Sequence, residues 1–290
     1  MDIPNLEHVT LPTNGIRLHV VQSGSRYGEL LILLHGFPEF WYGWRHQIQP
    51  LAEAGFRVWV PDQRGYNLSD KPKGIAAYRF DELASDILGL IDAAGVEKCY
   101  LVGHDWGASV AWWLALRHPE RLHKLAILNV PHPAIMIKTL FSSFSQLRRS
   151  WYMFFFQLPF LSEGILRNKD WELMVRMLRS GSQPGSFTEQ DLERYRHAWW
   201  RKNAIHSMLN WYRAAIQMPP DTSGDLRIRI PTLMLWGAQD KALGRQMAQP
   251  SLDLCDEGEL IFFEDSGHFV QHDEAEAVNK YLGKFFTVNT

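Results

Sequence analysis

Short apolar runs recur along this chain, each bounded by polar or turn-forming residues. Six of them, at 30–34, 57–60, 100–102, 125–128, 232–235 and 260–263, are nearly continuous in apolar side chains. That pattern is expected of strands buried on both faces of a sheet. Between the second and third runs, Leu83, Ile87, Leu90 and Ile91 form one stripe at helical spacing. Asp81 is placed to cap that helix and Gly95 to stop it. Residues 108–116 follow the third run as a second helix, and 275–286 close the chain as a third. Alternation of strand and helix predicts an α/β fold, a mostly parallel sheet flanked by helices. At the start, runs 8–11 and 16–22 flank Asn14-Gly15, a two-residue turn sequence that predicts a hairpin.

The rhythm breaks between Pro131 and Ser223. This stretch has no β-like runs and is rich in aromatic and helix-forming residues. Thr188, with Asp191 three positions on, approximates a capping box for one of its helices. Pro219-Pro220 ends the stretch. The expected organisation is a helical cap, 131–223, inserted into a core made of 1–130 and 224–290. A chain of 290 residues suits one such core with its insertion.

Composition narrows the function classes. With 30 Lys and Arg against 32 Asp and Glu, the formal charge of −2 leaves no basic block for nucleic acid or anionic membrane. The two cysteines, Cys99 and Cys255, have no metal-like spacing, and Cys99 sits in an apolar run as a small hydrophobe. The first eleven residues carry charge and no apolar core, so no secretory leader is expected. Residues 151–161 are apolar but too short to cross a bilayer. A soluble, cytoplasmic protein is expected. Twelve tryptophans suggest an aromatic-lined cavity, although large aromatics also serve as core.

The sharpest chemical signal is Gly103-His104-Asp105-Trp106-Gly107, directly after one strand and directly before a helix. Small residues at both ends of a G-x-Nu-x-G elbow permit a strained turn that exposes the middle side chain. Here that side chain is Asp105, where an esterase has Ser. A carboxylate is already ionised at neutral pH, and a helix N-terminus favours its charge. It can displace oxygen or halide from an sp³ carbon and leave an alkyl ester on the enzyme. On the motif alone, an Asp that merely caps the helix is the competing reading. His104 is expected to pack behind the turn.

Such an elbow calls for an acid and then a histidine later in the chain, each just past a strand. Asp240 follows the run 232–235, and His268 follows the run 260–263. His268 would deprotonate the water that cleaves the ester, and Asp240 would orient the imidazole. His272, one helical turn on, is expected at the surface or as a cap. Asp62 and Arg64 are expected to brace a loop. The backbone N–H of Trp106 is the expected oxyanion donor by geometry.

Taken together these residues resemble the epoxide hydrolase branch of the α/β-hydrolase superfamily, over nearly the whole chain. His35-Gly36-Phe37-Pro38 resembles the family's H-G-x-P loop, and Gly103–Ala108 its nucleophile motif. The resemblance implies Phe37 as the second oxyanion donor. In the expected cap, Trp151–Pro159 is similar to the segment bearing the first ring-opening tyrosine, which falls on Tyr152. Asn210-Trp211-Tyr212-Arg213 resembles the segment bearing the second, which falls on Tyr212. A phenol, with an ordinary pKa of about 10, stays protonated at pH 7 and can donate to an epoxide oxygen. The resemblance implies hydrolysis of a small apolar or aromatic epoxide to a vicinal diol, with water as co-substrate.

Two alternatives stand beside this. Haloalkane and haloacetate dehalogenases use the same Asp nucleophile. However, the haloalkane enzymes carry an Asn where this chain has Phe37, and the haloacetate enzymes carry basic residues where Trp106 stands. A non-catalytic small-molecule receptor is the reading from another class, and the complete set of Asp105, Asp240 and His268 argues against it. No metal or organic cofactor is implied: His268-x-x-x-His272 lacks the Glu of a zinc-protease helix, and no phosphate-binding glycine loop occurs. A homodimer is left open, as are the preferred epoxide and the carbon attacked.

Overall fold

Asn14 and Gly15, at φ of 42° and 73°, make the two-residue turn that joins β1 (Glu7–Thr13) to β2 (Ile16–Ser23). Positive φ at both central residues matches the twist of the flanking strands, which is why Asn-Gly marks such hairpins. The computed structural model, which describes residues 3–287, continues with β3 (Leu30–Leu34), β4 (Arg57–Pro61), β5 (Cys99–His104), β6 (Leu122–Leu128), β7 (Thr232–Gly237) and β8 (Gly258–Phe263). The eight lie in one sheet, in the order β1-β2-β4-β3-β5-β6-β7-β8. Pairing is antiparallel from β1 through β2 to β4 and parallel everywhere else.

Each face of the sheet carries its own core. Leu31 and Leu33 of β3 join one cluster with α1 (Ile48–Glu53), while Leu30, Ile32 and Leu34 join the other with α2 (Phe80–Ala93) and α3 (Trp106–Arg117). All five leucine and isoleucine side chains of β3 are buried, each favouring the fold by about 1.5–3 kcal/mol relative to exposure. Burial on both faces explains the uninterrupted apolar run. Edge strand β8 departs from it: paired only with β7, it is half-buried from Leu260 to Phe263. The helix start at Asp81 also needs correction. Arg79 precedes α2 without a side-chain cap, and Asp81 lies inside the first turn, its Oδ1 accepting from Trp113 Nε1 at 2.9 Å.

Between β6 and β7 the chain leaves the sheet for six helices. These are α4 (Pro133–Ser142), α5 (Phe144–Arg149), α6 (Trp151–Phe155), α7 (Leu161–Ser180), α8 (Glu189–Trp199) and α9 (Ala204–Gln217). Thr188 and Asp191 do form a reciprocal capping box, with N–H to oxygen distances of 2.9 and 3.1 Å. Helix α7 is interrupted at Lys169, Asp170 and Trp171, whose φ values of 46°, 52° and 64° break the ladder. Polar contacts fasten these helices to the sheet loops. Trp199 Nε1 donates to the carbonyl of Pro38 at 2.6 Å, Tyr195 Oη to Glu39 Oε1 at 2.7 Å, and Tyr42 Oη to Asp191 Oδ1 at 2.8 Å. The chain ends with α10 (Ala248–Leu252), α11 (Val270–Asp273) and α12 (Ala275–Phe286). Among the described residues no helix is long and apolar enough to cross a membrane.

Candidate active site

After β3 the chain crosses to β4 on one side, and after β4 it returns to β5 on the other. The loops leaving β3 and β5 therefore part in opposite directions, and a crevice opens above their carboxyl ends. Ligands of open α/β sheets bind at such a point. His35 to Pro38 lines one side of this crevice, and Asp105 the other.

Asp105 sits between β5 and α3 with φ 49° and ψ −124°, a conformation that costs an ordinary residue of order 1–3 kcal/mol. The neighbouring glycines make it possible. A Cβ at Gly107 would collide with the backbone of Leu34, and one at Gly36 with the Asp105 carboxylate. The approach this allows lets the Phe37 N–H donate to Asp105 Oδ1 at 2.6 Å. The other oxygen, Oδ2, lies 3.4 Å from His268 Nε2. His268 Nδ1 in turn stands 2.7 Å from Asp240 Oδ2. Asp240 is fixed by the N–H groups of Ala242 and Leu243, at 2.7 and 2.9 Å to Oδ1, and by Asn129 Nδ2 at 2.9 Å to Oδ2. The structure thus brings the three expected residues into one line.

The charges follow from this placement. Burial alone would raise the carboxyl pKa of Asp105, but the hydrogen bond and charge of His268 outweigh it and hold the group below its ordinary value. Asp240 is lowered in the same way. For His268, burial opposes the proton, yet the Asp240 carboxylate and the bond to Asp105 carry its pKa well above 6.5. The placement favours an imidazolium between the two carboxylates in the free protein.

Above Asp105 lies a cavity of about 270 Å³, lined by Phe37, Tyr152, Phe155, Phe156, Tyr212 and Phe269 among others. Tyr152 on α6 and Tyr212 on α9 meet edge to face across it, ring centroids 5.9 Å apart. Burial and the nearby Asp105 charge push both phenols above their ordinary pKa, so both keep their protons. Phe37 lines the cavity with its ring as well. The Trp106 side chain does not: its indole packs edge-on against Tyr212, ring centroids 4.9 Å apart. The tryptophans are mostly core. Trp44, Trp59, Trp112, Trp171, Trp199, Trp211 and Trp236 are fully buried, and Trp151 is the one that lines the cavity.

His272 is not at the surface. It is buried, accepting from Arg45 Nη1 on Nδ1 at 2.8 Å and donating from Nε2 to Glu39 Oε1 at 2.7 Å. Because arginine can only donate, the ring is neutral, in keeping with a pKa lowered to about 4 by burial and the Arg45 charge. Glu39, also buried, accepts from Gln271 Nε2 at 2.9 Å. His104 lies behind the elbow as expected. Asp62 and Arg64 brace separately: Asp62 accepts from the Trp41 N–H at 3.0 Å, and Arg64 pairs with Asp86 at 2.6 Å. Glu39 and Asn129 were not singled out in the sequence. For Glu39 the signal was its place in His35-Gly36-Phe37-Pro38-Glu39; for Asn129 there was none beyond its position at the end of β6.

Comparison with known proteins bears on the fold and the family. A family model described as the alpha/beta hydrolase fold matches residues 29–275. The AB hydrolase superfamily protein YfhM of Bacillus subtilis is 45% identical over 276 residues, covering 93% of this chain and 94% of that one. Epoxide hydrolase 1 of Caenorhabditis elegans is 40% identical over 275 residues, covering 93% of this chain and 68% of that one. The crystal structure of an epoxide hydrolase from Bacillus megaterium in complex with an inhibitor superposes with a TM-score of 0.87 at 30% identity, covering 96% of this chain and 99% of that one. This chain belongs to the α/β-hydrolase fold family and, within it, to the epoxide hydrolases.

Proposed function

We propose that the protein hydrolyses an epoxide to a vicinal diol through a covalent ester on Asp105, in the cytoplasm. The observation that carries this is a single arrangement: an ionised carboxylate on the strained elbow, facing two protonated phenols across an apolar cavity. With Oδ1 held by the Phe37 N–H, Oδ2, which faces His268 Nε2 at 3.4 Å, is the oxygen that attacks a ring carbon. As the carbon–oxygen bond breaks, Tyr152 and Tyr212 donate to the departing oxygen, and one phenol proton neutralises it. His268 then takes a proton from water, and the hydroxide adds to the Asp105 carboxyl carbon. The resulting oxyanion rests on the N–H groups of Phe37 and Trp106. Collapse expels the diol, which keeps one former Asp105 oxygen.

Alkylation also prepares the second step. Esterified Asp105 carries no charge, so one of the two carboxylates that raise the His268 pKa is gone. The imidazolium can then give up its proton, which returns to the phenolate left by ring opening, and the neutral imidazole acts as base. Residues 131–223 serve as the lid that supplies both phenols and excludes water, above a core of 1–130 and 224–290. A halide would find little here: the Trp106 indole is not among the groups lining the cavity, and Phe37 offers no side-chain donor.

The test is one turnover of excess enzyme on an epoxide in ¹⁸O-water. The first diol should be unlabelled, with label entering Asp105. Label in that first diol would mean direct attack by water; no diol from the epoxide, with halide released from a haloalkane or haloacetate in a parallel assay, would return the protein to the dehalogenases.

A further inference from the structure

We propose that the epoxide this site takes carries an anionic group, bound at the cavity mouth by Arg149 and Lys241; this rests on the epoxide reading above. Apart from Asp105 and His268, these two are the charged residues that line the cavity, and both are cations. The walls between are apolar, including Phe155, Leu166, Leu173 and Met177. Arg149 ends α5, and its Nη1 donates to the main-chain carbonyl of Asp240 at 2.7 Å. Lys241 is the next residue, and its Nζ donates to the carbonyl of Ser180 at 2.9 Å. The two cations therefore line one cavity, one from the inserted helices and one from the sheet loop.

Neither has a carboxylate within ion-pair distance among the described residues; each is held by a neutral carbonyl and keeps further N–H donors free. Two cations lining one cavity give its mouth a positive charge, and an oxyanion held there meets that charge and satisfies the free donors. Trp151, also lining the cavity and largely exposed, gives the same mouth an aromatic lip. The matching substrate is amphiphilic: an oxirane, an apolar arm, and a terminal carboxylate or phosphate. Bound so, it joins the inserted helices to the sheet loop through its own charge. Arg149 also has a structural use, tying α5 to the acid loop, and the test must see past it.

A terminal epoxide joined by saturated chains of graded length to a carboxylate, to a phosphate monoester, or to the methyl ester of the same acid supplies the probes. The quantity read is the ratio of kcat/KM for the anion to that for the neutral ester, so damage to folding or chemistry cancels. At low salt the wild type should favour the anion by about tenfold at the best chain length, an advantage fading toward 0.5 M salt as screening grows. Lys241→Met and Arg149→Met should each lower the ratio several-fold, and Lys241→Glu should bring it below one. The carboxylate and phosphate series tell which anion fits. Equal kcat/KM for acid and ester in the wild type, or a ratio unmoved in all three variants, overturns the proposal. Failure of the wild type to open even the neutral ester would sink the epoxide reading instead.

Discussion

His104 Nε2 donates to the main-chain carbonyl of His268 at 2.8 Å, so the residue just before the nucleophile holds the loop that carries the base. Behind it, His104 Nδ1 faces Gln271 Nε2 at 3.2 Å. Nucleophile and base are thus spaced by a bond in which neither of their side chains takes part. His104→Ala should leave alkylation of Asp105 near the wild-type rate and slow ester hydrolysis about tenfold, the worth of one buried hydrogen bond. Rapid-quench measurement of the two half-reactions separates them. An equal loss in both would mean that the elbow itself had moved.

His268→Gln removes the base and keeps the ring's approximate volume. An ester of enzyme plus substrate mass should accumulate and persist, and intact-protein mass spectrometry will detect it. Steady turnover near wild type in this variant would show that another group activates water.

The two half-reactions should also divide by pH. The lowered pKa of Asp105 keeps it ionised to below the usual carboxylate value of about 3.9, so alkylation should be level from about pH 5 upward. No phenol limb should appear on the alkaline side below about pH 10, since both tyrosines are shifted up. Ester hydrolysis needs neutral His268, so its rate should rise with pH and then level. The midpoint should lie below that of His268 in the free protein, because the ester has removed one carboxylate. Single-turnover rates across pH, with a histidine NMR titration of the free protein, check the order of the two midpoints.

Tyr152→Phe and Tyr212→Phe each delete one donor while keeping the ring. An oxyanion donor is typically worth on the order of 3 kcal/mol, so each should slow alkylation about a hundredfold. The double variant should be nearly inactive in alkylation and little changed in hydrolysing an ester already formed. Wild-type alkylation in the double variant would reduce both tyrosines to packing groups.

Much of this fold was legible because buried parallel strands leave continuous apolar runs, and Asn14-Gly15 and the elbow glycines mark backbone that other residues adopt at a cost. The order of Asp105, Asp240 and His268 could be read because each follows a strand. What could not be read depends on partners far apart in the chain. His272 looked like a surface residue because Glu39 and Arg45, which bury and bond it, lie more than two hundred positions earlier. Asp81 was placed as a cap because it is the right residue type near a helix start, yet Trp113 on the neighbouring helix claims its carboxylate. Tyr152 and Tyr212 came from resemblance alone, since helical spacing does not say which phenol faces a cavity.

The three polar fastenings between α8 and the segment carrying Phe37 bear on how this molecule can be recombined. Pro38, Glu39 and Tyr42 bond in turn to Trp199 at the end of α8, Tyr195 in its middle and Asp191 in its first turn. The inserted helices are therefore not a free module, although the sequence delimits them as one. A chimera that imports a foreign 131–223 keeps the native 36–45 and meets it with mismatched donors and acceptors, displacing the Phe37 N–H from the nucleophile. Carrying 36–45 across with the helices preserves those bonds. The heritable unit of substrate choice is thus two separate stretches of chain, 36–45 and 131–223, that vary productively only in step.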